Sequence, residues 1–325
     1  LGQEYAVFKT PGNFNSIIGL PIAAFGLKDS HEYAVFELAM SEVGEMAMLA
    51  ELVFPDIAVV TNIGTAHIGN IGSQQKIAEE KKALFSCFSG AQKAFLREDD
   101  PFYRFLSEGV NGTVLAFGTH YTPGFTGAED MGIDGSLIHW NGMDINFCLP
   151  GAHNLQNALA AVSVAVEIGL SPASIQAGLE AVELPFGRGQ IIRGGITIIQ
   201  DCYNANPESM EAALDFFASV NWPGRKIAVL GDMLELGDDA DHQHERIAQI
   251  AASAGCDAVF FVGKTFERIA GKYGSVFSSA ADAHDSIIAS LQQGDVVLLK
   301  ASRGLALETI GDAVREVPEF GGVAC

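Results

Sequence analysis

Basic residues are scarce in this chain: 19 Lys and Arg stand against 40 Asp and Glu over 325 residues, a net charge of -21. Such a balance repels a phosphate backbone or an anionic membrane surface, so neither nucleic acid nor membrane is expected as a partner. A nucleotide stays admissible as a small ligand, because it needs only a local site with a metal ion or backbone amides. Cysteine is sparse as well. The five, at 87, 148, 202, 256 and 325, are odd in number and form no Cys-x-x-Cys, which favours reduced thiols in a cytoplasm over a disulfide frame or a zinc site. No apolar run reaches membrane-spanning length and no signal-peptide pattern appears. What is plentiful is apolar: 48% of residues are hydrophobic and 18% charged, enough to fill the cores of two ordinary domains of a soluble globular protein.

The chain is organised around Asp201 to Met210, Asp-Cys-Tyr-Asn-Ala-Asn-Pro-Glu-Ser-Met. Strand formers from Ile196 to Ile199 lead into it, and Met210, Ala213, Leu214 and Phe217 follow at helical spacing, so it reads as a strand-to-helix turn. Asn206 suits the N-cap and Pro207 the first helical position, which leaves the turn's N–H groups able to meet a ligand. Capping alone also accounts for Asn206. Asp201 ends an apolar strand, where open α/β sheets place their ligand crevices.

Upstream, Thr10 to Leu20 is a turn-rich loop. Tyr33 to Met40 is an apolar run broken only by Glu37, the pattern of a strand covered on both faces. Its carboxylate is either a magnesium ligand at the strand's open end or lies past the point where the strand stops. A helix over Gly44 to Val53 and a strand over Ile57 to Val60 precede Thr61-Asn62-Ile63-Gly64-Thr65-Ala66-His67, the strand–loop–helix order of a parallel sheet. His67 is a solvated loop residue or a functional group at that strand's end. On the helix expected from Ser73 to Phe88, Lys81 shares the apolar stripe of Ile77 and Phe85. Burial would disfavour its charged form and leave a nucleophilic amine, unless the ammonium snorkels to water. Lys93 to Leu96 and Val114 to Phe117 read as strands, and Ser136 to Cys148 as a hairpin turning at Asn141-Gly142. Gly151 to Leu159 opens a helix running to Ile168, with Asn154 as a candidate cap and Asn157 on the same face.

Leu184 to Gly189, Leu-Pro-Phe-Gly-Arg-Gly, breaks the helical pattern and sets a boundary between domains 1–186 and 187–325. Nothing local supports Arg188, and a bidentate phosphate contact suits it. Buried strands at Ile227 to Leu230, Ala258 to Val262 and Val296 to Leu299, separated by helical segments, make the second domain a parallel, Rossmann-like unit. Gly263-Lys264-Thr265 imitates a phosphate loop, but Ala258 stands where the pattern needs glycine.

The Tyr203-Asn-Ala-Asn-Pro-Glu-Ser-Met210 signature resembles the Mur ligase family, within it the branch that adds D-alanyl-D-alanine to a UDP-N-acetylmuramoyl tripeptide. Thr10-Pro-Gly-Asn-Phe-Asn15, His153-Asn-Leu-Gln-Asn-Ala158, Gly187-Arg188, Gly231-Asp-Met-Leu-Glu-Leu-Gly237 with His244, and Lys300-Ala-Ser-Arg-Gly304 match the family too, in its order. The resemblance implies an α/β chain with a central ATPase-type parallel-sheet domain followed by a Rossmann-like C-terminal domain. It implies an ATP-dependent amide ligase of peptidoglycan synthesis, hence of cell-wall biogenesis, cell shape and division, working through an acyl phosphate. Glu37, His67 and Lys81, the last as a carbamate, would surround Mg2+, with Lys81, His67 and Arg188 as the catalytic set. Asn154, Asn157, Arg188, Asp201 and Tyr203 would bind ATP, and Asn13, Asn15, Asn62, Asn204, Asn206 and Ser302 the substrates. A cytoplasmic monomer is expected. No Gly-x-x-x-x-Gly-Lys-Thr occurs in these residues, although the family carries one upstream of the Thr-Pro-Gly-Asn loop, and the uridine-binding domain is absent; the expectation is an incomplete, inactive fragment. The alternatives are a non-catalytic Mur-like binding module, or a related amide ligase such as folylpolyglutamate synthase.

Overall fold

The computed structural model describes residues 1–184 and 187–320 together with the backbone of 322–324. Pro185 and Phe186, within the expected boundary segment, lie outside the described residues, as does Cys325. The chain divides into two units, Leu1–Val182 and Glu183–Cys325.

The first unit runs β1 (Val7–Lys9), α1 (Gly19–Ala24), β2 (Tyr33–Val35), α2 (Glu45–Val53), β3 (Ile57–Val60), α3 (Ile68–Ile71), α4 (Gln74–Lys82), β4 (Lys93–Arg97), α5 (Tyr103–Ser107), β5 (Thr113–Phe117), β6 (Phe125–Asp130), β7 (Ser136–Trp140), β8 (Met143–Phe147), α6 (Ala152–Ile168) and α7 (Pro172–Glu180). β3, β4 and β5 form a parallel sheet, and β1 pairs with β2 in parallel. Ile77, Ala78, Phe85 and Phe88 pack with Met46 and Ala50 of α2 and with Leu96 of β4, the core forecast by the apolar stripe. The helix is shorter than its periodicity suggests: it closes at Lys82 and passes into a 3-10 turn over Ala83–Phe85. The strand expected from Tyr33 to Met40 is also shorter, and it is not covered on both faces. It stops at Val35, and Ala34 and Val35 are exposed, because a two-stranded ribbon has no layer on each side. Asn141 and Gly142 both take positive φ, 51° and 75°, the turn that matches hairpin twist. The hairpin gains a third antiparallel strand in β6.

The second unit contains β9 (Gln190–Gly194), β10 (Thr197–Asp201), α8 (Pro207–Ser219), β11 (Lys226–Gly231), α9 (Ala240–Ser253), β12 (Ala258–Val262), α10 (Lys264–Ile269), β13 (Ser275–Phe277), α11 (Ala280–Ser290), β14 (Val296–Lys300), α12 (Glu308–Glu316) and β15 (Gly322–Ala324). Its sheet has the order β13-β12-β11-β14-β10-β9-β15. The five strands from β13 to β10 are parallel, and β9 and β15 continue the sheet antiparallel. Ile198, Ile227, Val229, Val297 and Leu299 fill one core of the unit with Ile310 and Val314 of α12. β14 lies between β10 and β11, so their carboxyl ends bring three loops together, at 201–206, 231–236 and 300–304. Chain reversal at that end of an open sheet is where ligands bind.

Candidate active site

In the first unit the Thr-Pro-Gly-Asn loop is sewn to the segment after β2. Thr10 N–H donates to Val35 O at 3.0 Å, Glu37 N–H to Thr10 Oγ1 at 3.0 Å, and Asn15 Nδ2 to Glu37 Oε1 at 2.9 Å. Glu37 therefore sits just past the strand end with an exposed carboxylate, one oxygen held by Asn15. Asn13 is exposed on the same loop.

Lys81 closes a second arrangement. Its Nζ donates to the carbonyl of Asn62 at 2.8 Å, and Ile63 N–H donates to Asp100 Oδ2 at 2.8 Å, so the loop after β3 is fixed from α4 and from the turn before α5. The Lys81 side chain keeps some solvent contact, but protein encloses its amine closely enough that desolvation lowers its pKa, with Asp100 opposing. Lys82 differs: its Nζ donates to Phe105 O at 2.7 Å and lies 4.5 Å from the centre of that ring. His67 ends the Asn62 loop with φ 60°, a left-handed conformation that costs a non-glycine residue energy. The Glu45 carboxyl is held low chiefly by the hydrogen bond from Ser41 N–H, with His67 among the smaller contributors. Among the described residues no three His, Cys, Asp or Glu stand close enough to hold a metal ion. Lys81 as an ammonium is a donor and cannot be a ligand; as a carbamate it would offer two oxygens beside Asn62.

At the start of α6 the cap is Gly151 and not Asn154, since glycine alone tolerates the φ of 93° paired with ψ 147° found there. Asn154 lies in the first turn, its Nδ2 donating to Pro150 O at 2.8 Å, and Asn157 is exposed one turn on.

In the second unit, Lys300 Nζ donates to Asp201 Oδ2 at 2.6 Å and reaches Asn204 O at 3.4 Å. Lys300 ends β14 as Asp201 ends the neighbouring β10, so the register places them side by side. Asn206 is a working cap: Oδ1 accepts from Ser209 N–H at 2.8 Å while Ser209 Oγ accepts from Asn206 N–H at 3.0 Å. Asn204 Oδ1 accepts from Ala205 N–H at 2.9 Å. Both side-chain oxygens are committed to backbone, and what these asparagines can present outward is their amide N–H groups. Ser302 is buried; its hydroxyl accepts from Leu234 N–H at 3.0 Å and donates to Ala205 O at 3.4 Å, so it serves the loops. Arg188 does have local support, contrary to the expectation from its glycine neighbours. Its guanidinium carbon lies 4.5 Å from the centre of the Tyr203 ring, and Tyr203 N–H donates to Gly187 O at 3.0 Å. Arg188 as a residue stays exposed. Cys202, fully buried beside Glu308, has its thiol pushed up to about 12 by desolvation, with Glu308 adding to it.

Residue-type patterns missed Asp100, Lys300 and Asp232. The signal for Lys300 was present: two buried strands ending in opposite charges. Asp232 accepts from Thr265 N–H at 2.9 Å and Phe266 N–H at 3.0 Å, so the Gly263-Lys264-Thr265 helix start already holds an anion and is no phosphate loop.

Comparison with known proteins agrees with this architecture. The Mur ligase middle domain matches residues 1–165, and the Mur ligase glutamate ligase domain matches 187–303. The UDP-N-acetylmuramoyl-tripeptide–D-alanyl-D-alanine ligase of Treponema pallidum is 40% identical over 322 residues, 97% of this chain and 70% of that protein. Its Bacillus subtilis counterpart is 33% identical over 98% of this chain and 72% of its own length. A crystal structure of MurF from Acinetobacter baumannii superposes with a TM-score of 0.88 at 28% identity, covering 96% of this chain and 71% of that one. MurF ligase from Thermotoga maritima, in complex with ADP, gives 0.82 at 26%, covering 96% and 74%. The Escherichia coli FolC structure with ADP, at 0.66 and 20%, shares the fold alone.

Proposed function

The chain belongs to the Mur ligase family, and from that premise we propose that it serves an ATP-dependent ligase joining D-alanyl-D-alanine to UDP-N-acetylmuramoyl-tripeptide in peptidoglycan synthesis. The γ-phosphoryl group of ATP passes to the tripeptide's terminal carboxylate, releasing ADP. The amine nitrogen of the dipeptide then attacks the acyl carbon; the C–N bond forms, the C–O bond to phosphate breaks, phosphate leaves, and the amine loses a proton. Little covalent work falls to the protein in such a transfer, so its contribution is positioning and charge.

Each residue's part follows from what its surroundings leave available. Arg188, an exposed residue whose guanidinium lies over the Tyr203 ring, suits bidentate contact with a phosphate. Asp201 keeps Oδ1 outside its bond to Lys300 and can accept from a ribose hydroxyl. Asn154 and Asn157, on one face of α6, suit adenine edges. Asn204 and Asn206, with only amide N–H groups to offer, suit the carboxylate of the dipeptide. Asn13, Asn15 and Asn62 border the tripeptide, and Ser302 supports Asn204 and Asn206 from behind.

Glu37, His67 and a carbamylated Lys81 are the residues that would hold magnesium: two carboxylate-type groups suit a hard cation, and the carbamate would supply the donor that the ammonium of Lys81 cannot. When bound, the magnesium would stabilise charge on the transferring phosphoryl group. Carbamylation suits Lys81 because burial already disfavours its ammonium, and a free amine is what reacts with carbon dioxide. The chain would then act in the cytoplasm, where its nucleotide-linked substrates are made.

The observation that carries this reading is the corner at Asp201 to Asn206, locked by Lys300 and the capping box, in a chain akin to UDP-N-acetylmuramoyl-tripeptide–D-alanyl-D-alanine ligases along almost its whole length. The test grafts these 325 residues into the Treponema pallidum ligase in place of the stretch they match. Supplied with ATP, Mg2+ and both substrates, the graft is expected to yield ADP and UDP-N-acetylmuramoyl-pentapeptide in equal amounts by mass spectrometry. A folded graft that binds ADP and forms no pentapeptide product would favour the binding-module reading instead.

A further inference from the structure

The Gly231–Gly237 segment and His244 match the family yet have no part in the chemistry above, and their hydrogen bonds show what they do. Three successive N–H groups leave the end of β11 for three different elements. Asp232 N–H donates to Val262 O of β12 at 2.9 Å, Met233 N–H to His244 Nε2 of α9 at 2.9 Å, and Leu234 N–H to Ser302 Oγ after β14 at 3.0 Å. Ser302 in turn donates its N–H to Asp232 O at 3.2 Å and its hydroxyl to Ala205 O at 3.4 Å. The 231–236 loop and the Asn204–Asn206 turn are therefore one hydrogen-bonded body. Of its acceptors for these three N–H groups, only His244 can be switched by a proton.

His244 is wholly buried, its ring 4.7 Å from that of Phe266 in an edge-on contact. Nδ1 lies 2.6 Å from Ala240 O, a pure acceptor, so Nδ1 carries the hydrogen. Nε2 faces a donor, the Met233 N–H, so it carries the lone pair. The ring is neutral and its tautomer is fixed from both sides.

We propose that His244 is a positioning residue: as the neutral Nδ1–H tautomer it fixes the 231–236 loop and, through Ser302, the Asn204–Asn206 turn that meets the incoming amine substrate. The substrate half of this inference rests on the reading in the preceding section. Protonation sets a second N–H against that of Met233, and the loop loses its anchor. The charged groups facing the ring are Asp232 at the end of β11, 3.5 Å from Nε2, Asp241 one turn earlier on α9, and Arg268 on α10. The two carboxylates favour the imidazolium and Arg268 opposes it, but burial is the largest effect and holds His244 below the usual histidine range.

The test uses the 325-residue chain labelled with 15N, read by amide and imidazole spectra between pH 8 and pH 5, with His244→Gln and His244→Phe beside it. The native ring is expected as the Nδ1–H tautomer at pH 8, and the amides of Met233, Leu234 and Asn204 to Asn206 to move together as the ring titrates. His244→Gln, a neutral acceptor, keeps those amides near their native positions and removes the pH response; His244→Phe displaces them at every pH. Added D-alanyl-D-alanine is expected to bind His244→Phe roughly tenfold more weakly than His244→Gln, the lower range of what an unpaired buried N–H costs. An Nε2–H tautomer, or Asn204 to Asn206 amides that stay still while the ring titrates, overturns the proposal, and both are read on the native chain even where a variant does not fold. Coupled amides without dipeptide binding at pH 8 uphold the positioning role and count against the dipeptide reading alone.

Discussion

Substituting either member of the Lys300–Asp201 pair separates its electrostatic cost from its chemistry. Lys300 is 1% exposed, and the Asp201 side chain keeps 27% of its surface, with 2.6 Å between them. Removing one partner of a buried pair costs about 3–5 kcal/mol because the remaining charge is stranded. Which charge remains decides the size here. Asp201→Asn leaves the buried Lys300 ammonium with a neutral amide oxygen in place of the carboxylate and, among the described residues, Asn204 O at 3.4 Å as a further acceptor; the expected loss is about 3 kcal/mol. Lys300→Met leaves Asp201 partly hydrated and fills the vacated volume, so roughly 1 kcal/mol is expected. The double variant should be more stable than Asp201→Asn alone, since no buried charge is left. The second unit runs from Glu183 to Cys325, a size at which 3 kcal/mol corresponds to a fall in Tm of about 10 °C. Trp140 and Trp222 lie in different units, so urea denaturation followed by fluorescence in a Trp140→Phe background reports the second unit alone. A loss under about 1 kcal/mol for Asp201→Asn, or a larger loss for Lys300→Met, would refute the argument that burial of the ammonium dominates.

Three further outcomes are expected. With 13C-bicarbonate present, the native chain should show a carbamate carbon signal that Lys81→Ala abolishes and Lys82→Ala retains; equal behaviour of the two variants would remove the case for Lys81. The Cys202 thiol, pushed up to about 12, leaves about one thiolate in ten thousand at pH 8, so alkylation followed by peptide mapping should modify exposed Cys148 and spare Cys202 until unfolding. Burial lowers the pKa of His244 in the folded state, so its contribution to stability is fully present above the unfolded value near 6.5 and is lost as pH falls through the window below it. The slope is up to about 1.4 kcal/mol per pH unit. Urea midpoints at pH 7.5 and 5.5 should show that slope reduced in His244→Gln, and an unchanged slope would mean that other groups supply it.

Periodicity revealed what burial enforces. Ile57–Val60, the strands of the second sheet and the stripe carrying Lys81 could be read because each is an apolar run or face with a packed neighbour. Gln190–Gly194 escaped notice because it mixes polar and charged residues with Gly, and Ser275–Phe277 because three residues give no period. Glu37 appeared to interrupt a buried strand; in the fold that strand has already ended, and the run of apolar letters belongs to a ribbon and the loop after it. The candidate site was legible as a set of residue types at strand ends. Hydrogen-bond partners were not, since they depend on elements far apart in sequence: Asn62 with Lys81, Leu234 with Ser302, Thr265 with Asp232. Arg188 shows the same limit, its support coming from Tyr203, fifteen positions away and across a strand pair.

The identity of the amine tests the account most directly. Initial rates of ADP release are measured for the grafted ligase charged with UDP-N-acetylmuramoyl-tripeptide and ATP, with D-alanyl-D-alanine or L-glutamate as the acceptor. Release that depends on D-alanyl-D-alanine, is negligible with L-glutamate and is lost in Asn204→Ala is the expected result; equal or greater release with L-glutamate would contradict it.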